Sequence, residues 1–279
     1  MDSGPTLPIG PIPDENPERT VLWLRQFLRM LAHELAGPLT PLTGHIQLLA
    51  TTGRGNLTSL QTRSVESLNS VSARLLRFYE AVLEVVRLER GAVGTTWSEE
   101  DPVDLLGRTA ALFEDDARQM GISLHIEPPT KTFRIVTDPR LVCSLTGHLV
   151  RNAIGFTPSG GTVQLKATQP EDGWFQLVVE DQGPGVQDNE LDTIFNPFVK
   201  LSRPDYDVEG PGLGLTAAAL IAHTLGGTIH AERTNPGLRV ITTLPIVPPE
   251  DVVAHEKDQK SEYATSKPDG RKDRTEDQP

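Results

Sequence analysis

A histidine next to a glutamate is the first pair of side chains in this sequence that could carry out chemistry. His33 and Glu34 lie in the segment LAHELAGPLTPL, which has a helical pattern. An imidazole that titrates near neutral pH can act as a nucleophile, and an adjacent carboxylate can take up its proton. Such pairs are also common on the surfaces of ordinary helices. Pro38 and Pro41 should bend this helix close to the pair, and breaks in local rules often mark functional sites.

An asparagine beside an apolar helix stripe is the first candidate ligand for a metal ion. Leu145, Leu149 and Ala153 recur at every fourth position and should face one side of a helix, with Asn152 at the edge of that face. The side-chain carbonyl of this asparagine could coordinate Mg²⁺, which prefers oxygen ligands. A hydrogen bond within the fold would use the same amide, so both interpretations stay open.

An aspartate at a strand end begins the first of two glycine-rich segments. Asp181 directly follows the predicted strand FQLVVE and precedes the sequence QGPG. Its carboxylate could accept a hydrogen bond from the amino group of adenine, and Gly183 and Gly185 would let the backbone approach a flat ring. An ordinary tight turn would need the same residues, so this segment is ambiguous by itself.

The second glycine-rich segment, GPGLGL at 210–215, opens a predicted helix. Free backbone amides at a helix N-terminus attract anions, so this segment could hold phosphate groups. It lacks the Lys-Ser/Thr pair of a P-loop, and no Rossmann unit surrounds it. Residues 189–209, between the two segments, contain the sequence FNPF followed by a polar stretch, and we interpret them as a movable lid.

His33 would be carried by the first of two predicted helices that form a hairpin. Apolar side chains recur with heptad spacing on both sides of the turn sequence TTGRGN at 51–56. With Leu28 at position a and Leu31 at d, His33 falls at position f, which points to solvent. One hairpin cannot cover its own apolar stripe, so the sequence predicts a dimeric four-helix bundle. The stripe consists of Val21, Leu24, Leu28, Leu31, Leu35, Leu42 and Leu49, then Leu68, Val71, Leu75, Phe78, Val82 and Val85.

Five regions follow from the composition along the chain. We assign residues 1–19 to a disordered lead-in, 20–92 to the helical hairpin, 93–102 to a polar linker, 103–247 to a second domain and 248–279 to a disordered tail. The second domain mixes predicted strands and helices, which indicates a two-layer α+β fold with the sheet covered on one face.

The composition excludes several classes of function. With 26 Lys and Arg against 38 Asp and Glu, the net charge of −12 argues against general binding to nucleic acids or anionic membranes. The single cysteine, Cys143, excludes a disulfide framework and a cysteine-based zinc cluster. No apolar run reaches the ~20 residues of a membrane span, and the N-terminus has no signal-peptide pattern. We therefore expect a soluble cytoplasmic protein.

Together these motifs resemble those of bacterial two-component sensor histidine kinases. HELAGPLT is similar to their phosphoacceptor motif, HLVRNAIGFTPSGG to the asparagine box, DQGPGV and GPGLGL to the two glycine boxes, and IFNPF to the phenylalanine box. The resemblance covers about residues 20–247, in the order of the family. It implies a dimerisation and histidine phosphotransfer (DHp) hairpin, followed by a Bergerat-type ATP-binding domain. It also implies that phosphate passes to an aspartate in the receiver domain of a response regulator.

The same resemblance implies a role for each motif residue. His33 would be the phosphorylated nucleophile, Glu34 its acid–base partner and Asn152 the ligand of Mg²⁺. The residues that would surround ATP are Asn152, Phe156, Asp181, Gly183, Gly185, Lys200, Gly210, Gly212, Leu213 and Gly214. Phosphoryl transfer then requires mainly positioning and charge neutralisation.

Three positions depart from the family pattern. Gly37 stands where Thr or Asn often positions water, so we expect weak or absent phosphatase activity toward the regulator, which Gly37→Thr should raise. Gly155 replaces a frequent Lys or Arg, and His148 stands where Asn is frequent, which leaves its role open. The cations that could replace the missing charge are Arg151, Lys200 and Arg203.

Gly155 keeps a second interpretation open, in which the chain is a catalytically degenerate scaffold that dimerises and docks a partner. The intact His33, Asn152 and Asp181 favour an ATP-dependent protein-histidine kinase instead. Chaperone-like ATPases and anti-sigma serine kinases share the ATP-binding fold but lack a hairpin that displays a histidine. Because 19 residues cannot form a sensor core, we expect the input to come from a separate sensory protein, from the bundle or from a region outside this chain.

Overall fold

A long helix leads into a domain of strands and shorter helices. The computed structural model describes residues 44, 46, 49, 57–89, 93–201 and 211–249. The helices are α1 (Ser59–Glu89), α2 (Pro102–Gln119), α3 (Pro139–Phe156) and α4 (Gly214–Thr224). The strands are β1 (Ser98–Glu100), β2 (Ser123–Glu127), β3 (Ile135–Thr137), β4 (Thr162–Glu171), β5 (Trp174–Glu180), β6 (Thr228–Arg233) and β7 (Leu238–Pro245). Two 3₁₀ helices, Asp188–Glu190 and Thr193–Phe195, follow β5.

The second predicted helix of the hairpin is present as α1, which is 31 residues long. Its heptad positions nearest the N-terminus are open to solvent, and their exposure runs from 37% to 56% at Leu68, Val71, Leu75 and Phe78. Near its C-terminus Val82, Val85, Val86 and Leu88 are buried, and this end packs against α4. In the described part of the chain, no helix has both the length and the apolar character that a bilayer crossing requires.

Several sequence predictions concern residues outside the described ranges. Gly44, Ile46 and Leu49 are helical, as the predicted first helix requires. The positions outside the description are His33, Glu34, Gly37, the turn at 51–56, Arg203, Gly210, the lead-in 1–19 and most of the tail at 248–279. Predictions on these residues therefore stay predictions.

The main sheet has five strands in the order β2-β4-β5-β7-β6. Strands β2 and β4 run parallel, and the other neighbours are antiparallel. Every second residue of β5 is buried, so one face of the sheet carries the core. Helices α2, α3 and α4 pack against strands of this sheet. The predicted two-layer α+β fold is confirmed, and Leu145, Leu149 and Ala153 of α3 are buried as the stripe requires.

The segment assigned to a linker is more regular than the sequence suggested. Ser98–Glu100 forms β1, which pairs antiparallel with β3. Helix α2 begins at Pro102, and the amide of Val103 donates a 2.8 Å hydrogen bond to the side chain of Asp101, which caps the helix. Part of the predicted linker thus forms regular structure, which the sequence did not reveal because a short polar strand has no periodic apolar pattern.

The residues before β1 are also held in place, by the N-terminus of α3. The amide of Thr96 donates a 2.6 Å hydrogen bond to Asp138, whose side chain is fully buried. The guanidinium of Arg140 donates to the carbonyl of Gly94 at 3.0 Å and to Asp138 at 2.8 Å. We call these contacts of Gly94, Thr96, Asp138 and Arg140 the linker clamp.

Candidate functional site

One face of α3 brings three residues of the predicted asparagine box into a row. His148, Asn152 and Phe156 follow one another at every fourth position, so they line one side of the helix over about 12 Å. The helix turns Leu145 and Leu149 into the core. The row lies at the edge of this buried face, and all three of its residues are half-buried. A ligand that lies along α3 could therefore contact each of them.

Asn152, in the middle of this row, keeps its side-chain amide available. None of the hydrogen bonds among the described residues involves that amide, and its role as a ligand stays a prediction. Among the described residues, no group of three or more His, Cys, Asp or Glu side chains could hold a metal ion. A single oxygen ligand from Asn152 fits Mg²⁺, which often takes one or two protein ligands and completes its shell with water and substrate phosphates.

Asp181 is the buried acid at the end of β5. Its side chain is 5% exposed, and its Oδ1 accepts hydrogen bonds from the amides of Gly183 at 2.8 Å and Leu238 at 3.2 Å. Burial raises the pKa of Asp181 to about 6, although the two backbone hydrogen bonds act in the opposite direction. These bonds use only Oδ1, so Oδ2 can accept a hydrogen bond from a ligand.

The first glycine-rich segment passes very close to other backbone. A β-carbon at Gly183 would lie 2.7 Å from the carbonyl oxygen of Phe156, at the end of α3. Gly185 has a φ of +65°, and a β-carbon there would lie 2.8 Å from the carbonyl oxygen of Gly237. Both positions therefore require glycine because of contacts within the protein. Their contact with a flat ring stays a prediction.

The second glycine-rich segment is anchored to the aromatic sequence before it. Gly212 has a φ of +72°, and its carbonyl accepts a 3.0 Å hydrogen bond from the amide of Phe198. The hydroxyl of Thr216 donates to the carbonyl of Phe195 at 2.9 Å, which ties α4 to the predicted phenylalanine box. Leu213 is 2% exposed, so its side chain is a core anchor and only its backbone can reach a ligand.

Helix α4 presents its N-terminus to α3. Its N-cap residue Leu213 provides no side-chain cap, so the first amides of this 11-residue helix are not occupied by a capping side chain. The position that a β-carbon would take on Gly214 lies 3.8 Å from Nδ1 of His148, one turn before Asn152. The N-terminus of α4 thus adjoins one end of the row on α3, and Gly183 adjoins the other end at Phe156.

The candidate cations differ in their surroundings. The guanidinium carbon of Arg151 lies 5.3 Å from the centroid of the Phe113 ring of α2, so this side chain is engaged in a cation–π contact. Lys200 is exposed beyond the phenylalanine box. Lys200 forms no hydrogen bond or ion pair with another described residue.

Two further parts of the site were not predicted from the sequence. The turn at Gly237 packs against the backbone of Asp181 and has a φ of +111°. The Asn-Pro-Gly sequence at 235–237 predicts a turn but not its partner. Glu84 of α1 reaches Ser144 and His148 of α3, and its position in a heptad gives no sign of this contact.

Two family models match this chain, one over the helical region and one over the domain that carries the site. Residues 23–91 match the family model "His Kinase A (phospho-acceptor) domain". Residues 137–248 match "Histidine kinase-, DNA gyrase B-, and HSP90-like ATPase". The chain belongs to the two-component sensor histidine kinase family. The resemblance inferred from the motifs is thus confirmed.

Individual relatives of this histidine kinase agree with that assignment. The histidine protein kinase DivJ of Caulobacter vibrioides is 26% identical over 223 residues, which are 80% of this chain and 37% of DivJ. The aerobic respiration control sensor protein ArcB of Escherichia coli K12 is 27% identical over 73% of this chain and 26% of ArcB. The crystal structure of full-length ShkA in complex with AMPPNP superimposes with a TM-score of 0.68 at 27% identity, over 81% of this chain and 46% of ShkA. The chain thus spans less than half the length of these three proteins.

Proposed function

We propose that this histidine kinase phosphorylates its own His33 with ATP and passes the phosphoryl group to an aspartate of a response regulator. The observation that carries the proposal is the row on α3, which joins the uncapped N-terminus of α4 at His148 to the glycine-rich segment at Phe156. Asn152 lies between these two ends. Nucleotide binding along such a row is supported by the family's ATPase domain and by the AMPPNP complex of the relative ShkA.

ATP would lie along α3 with its adenine toward Asp181 and its phosphates toward α4. The free Oδ2 of Asp181 would accept a hydrogen bond from the adenine amino group. The amides at the start of α4 would bind phosphate oxygens, and exposed Lys200 would add positive charge. Mg²⁺, held by the carbonyl oxygen of Asn152, would neutralise charge on the phosphates.

The chemistry at His33 is a displacement at the γ-phosphorus. A nitrogen of the neutral imidazole attacks, the bond to the bridging oxygen breaks, and ADP leaves with the electron pair. Glu34 accepts the proton that the imidazole gives up. The aspartate of the receiver domain then attacks the phosphorus, and the P–N bond breaks.

The exposed apolar positions of α1 support a homodimer. Leu68, Val71, Leu75 and Phe78 form an uncovered stripe, and the phosphoacceptor family model covers this helix. A second copy of the hairpin would bury the stripe in a four-helix bundle. The dimer would work in the cytoplasm, where ATP and response regulators are present. Its signal would come from a separate sensory protein, from the bundle or from a region outside this chain.

Incubation of the full chain with γ-labelled ATP and Mg²⁺ tests the proposal. We expect an acid-labile, base-stable label that is lost in His33→Gln and kept in His125→Gln, a matched change of an exposed histidine on β2. A label on another side chain would contradict the role of His33. If the chain binds AMPPNP but takes up no label, the scaffold interpretation that Gly155 favours replaces the kinase.

A further inference from the structure

An open groove runs along one edge of the main sheet, between β2 and α2. β2 is an outer strand of that sheet, and none of the described strands pairs with its other side. Small residues of α2 face this edge, so the helix leaves room beside the strand. The residues that shape the groove are Gly107, Ala110, Ala111 and Ala117 of α2, with Leu124 and Ile126 of β2.

The outer edge of β2 has backbone groups that can still form hydrogen bonds. The amide of Ser123 donates a 3.0 Å hydrogen bond to the carbonyl of Gly161, directly before β4. In a parallel ladder, every second residue from Ser123 therefore turns its backbone toward β4. Leu124 and Ile126 turn their amides and carbonyls outward, where no described residue bonds to them.

Neither β2 nor α2 has a feature that would block pairing at this edge. The sequence of β2, SLHIE, contains no lysine or proline, and its ladder with β4 is regular. On the helix side, a β-carbon added to Gly107 would meet no atom within 4 Å. An extended segment that lies along β2 would therefore gain backbone hydrogen bonds and cover apolar side chains at the same time.

The C-terminal part of the chain leaves the domain close to one end of this groove. The carbonyl of Ile246, just after β7, accepts a 2.7 Å hydrogen bond from the amide of Val136 in β3. On its other side β3 pairs with β1, and Glu100 of β1 lines the same end of the groove as Ile126. Two strand spacings separate Ile246 from β1, which is about 10 Å. Residues 247–251 can span up to about 17 Å when extended, so the next residue can reach the groove.

The sequence just beyond this point has the pattern that the groove requires. In residues 250–279, VVA at 252–254 is the only run of three apolar residues. A segment that enters at Ile126 runs antiparallel to β2, which places Val252 opposite Ile126 and Ala254 opposite Leu124, with both side chains toward the groove. Valine also favours strands. The predicted disordered tail at 248–279 would become ordered only over this short part.

We propose that residues 251–256, the docking segment, add to the outer edge of β2 as a sixth strand of the main sheet of their own domain. Val252 and Ala254 fill the groove beside α2, and the outward amides and carbonyls of Leu124 and Ile126 gain partners. This surface is separate from the nucleotide site on α3 and α4, so its test needs neither ATP nor a label on His33.

Hydrogen exchange at single amides of β2 tests this docking. In the full chain the amides of Leu124 and Ile126 should exchange roughly three- to tenfold more slowly than in a chain that ends at Glu250, the protection expected from an added backbone hydrogen bond. A chain that ends at Glu262 keeps the docking segment and is the matched control, so it should exchange like the full chain. Amides of β5, at the centre of the sheet, should be unchanged in all three and show that each chain is folded.

Substitutions in the docking segment test which side chains face the groove. Val252→Asp places a charge against the apolar side chain of Ile126 and should remove the protection of β2. Val253→Asp is the matched control, because this side chain points to the open face of the sheet, and it should keep the protection.

Four results would overturn the proposal. The first is equal exchange of β2 in the full chain and in the chain that ends at Glu250. The second is loss of protection in the chain that ends at Glu262, which would place the covering residues beyond the docking segment. The third is an equal effect of Val252→Asp and Val253→Asp, which would contradict the strand pairing. The fourth is protection that falls as the protein is diluted, which would assign the edge of β2 to a second copy of the chain.

Discussion

The helical region and the ATP-binding domain of this histidine kinase achieve burial in different ways. Along α1, large apolar side chains such as Leu68 and Val71 are more than half exposed, and the proposed dimer would cover them. In the ATP-binding domain, strands β4 and β5 and helix α3 bury their apolar faces against one another. The first region would therefore depend on the proposed association, whereas the second depends on its own core. Single substitutions should separate the two kinds of stability.

The largest effect should come from the domain core. Phe175 of β5 is fully buried, so Phe175→Ala should lower the free energy of unfolding by about 3–5 kcal/mol through lost burial and a new cavity. Urea unfolding followed by tryptophan fluorescence measures this loss. Leu112→Ala, at a side chain that is 76% exposed, is the control and should cost less than ~0.5 kcal/mol. Equal losses at both positions would contradict the assigned core.

Substitutions in the exposed stripe of α1 should weaken the dimer and leave the stability of the ATP-binding domain unchanged. Val71→Asp combined with Leu75→Asp should weaken the dimer by at least about a hundredfold, because charged groups would replace two apolar contacts of the stripe. The urea midpoint of the ATP-binding domain should stay unchanged. Sedimentation over a concentration series measures the first quantity. A double variant that remains dimeric at low micromolar concentration would show that α1 does not form the interface.

The linker clamp should show an intermediate effect. Asp138→Ala should destabilise the ATP-binding domain by about 2 kcal/mol, because α3 loses its cap and the amide of Thr96 loses its partner. Burial raises the pKa of Asp138, but hydrogen bonds from Arg140, Thr96 and Leu141 outweigh burial and hold this pKa below the ordinary aspartate value of 3.8. The carboxylate therefore stabilises the fold above pH 3.8 and loses this effect as the pH falls further. Unfolding at pH 7 and pH 3 should give a difference between wild type and variant that shrinks at the lower pH.

The smallest expected effect is the change in nucleotide affinity with pH. Since burial raises the pKa of Asp181 to about 6, its carboxylate is ionised at pH 7 and becomes protonated as the pH falls below 6. Protonation removes an acceptor for the adenine amino group, so the affinity for AMPPNP should fall, approaching about tenfold per pH unit below 6. The raised pKa favours the folded, ligand-free domain at lower pH, so unfolding does not explain this loss. Calorimetric titrations from pH 7.5 to 5 measure it.

Asp181→Asn is the control for this pH dependence. The amide cannot ionise, so binding should be weaker at pH 7 and nearly independent of pH. An affinity that falls equally in the wild type and in Asp181→Asn would assign the pH dependence to another group.

Local patterns in the sequence predicted most elements of the ATP-binding domain. The apolar spacing of Leu145, Leu149 and Ala153 identified the buried face of α3, and the alternation in FQLVVE identified β5. The contacts that connect distant parts of the chain had no such signal. Asp138 is 42 residues from Thr96, and His148 is 64 residues from Glu84. Glu84 occupies an ordinary position of the heptad pattern, and its contact with α3 forms only because the two regions pack against each other.

The linker clamp has a practical consequence for building chimeric kinases. A transplant that starts at residue 137, where the ATPase family match begins, would leave behind Gly94, Thr96 and the whole of β1. The buried side chain of Asp138 would then lose the amide of Thr96, and Arg140 would lose the carbonyl of Gly94. A junction placed before Gly94 keeps these partners with the domain they stabilise. An exchanged helix would also have to supply the buried apolar residues that Val82, Val85, Val86 and Leu88 of α1 provide.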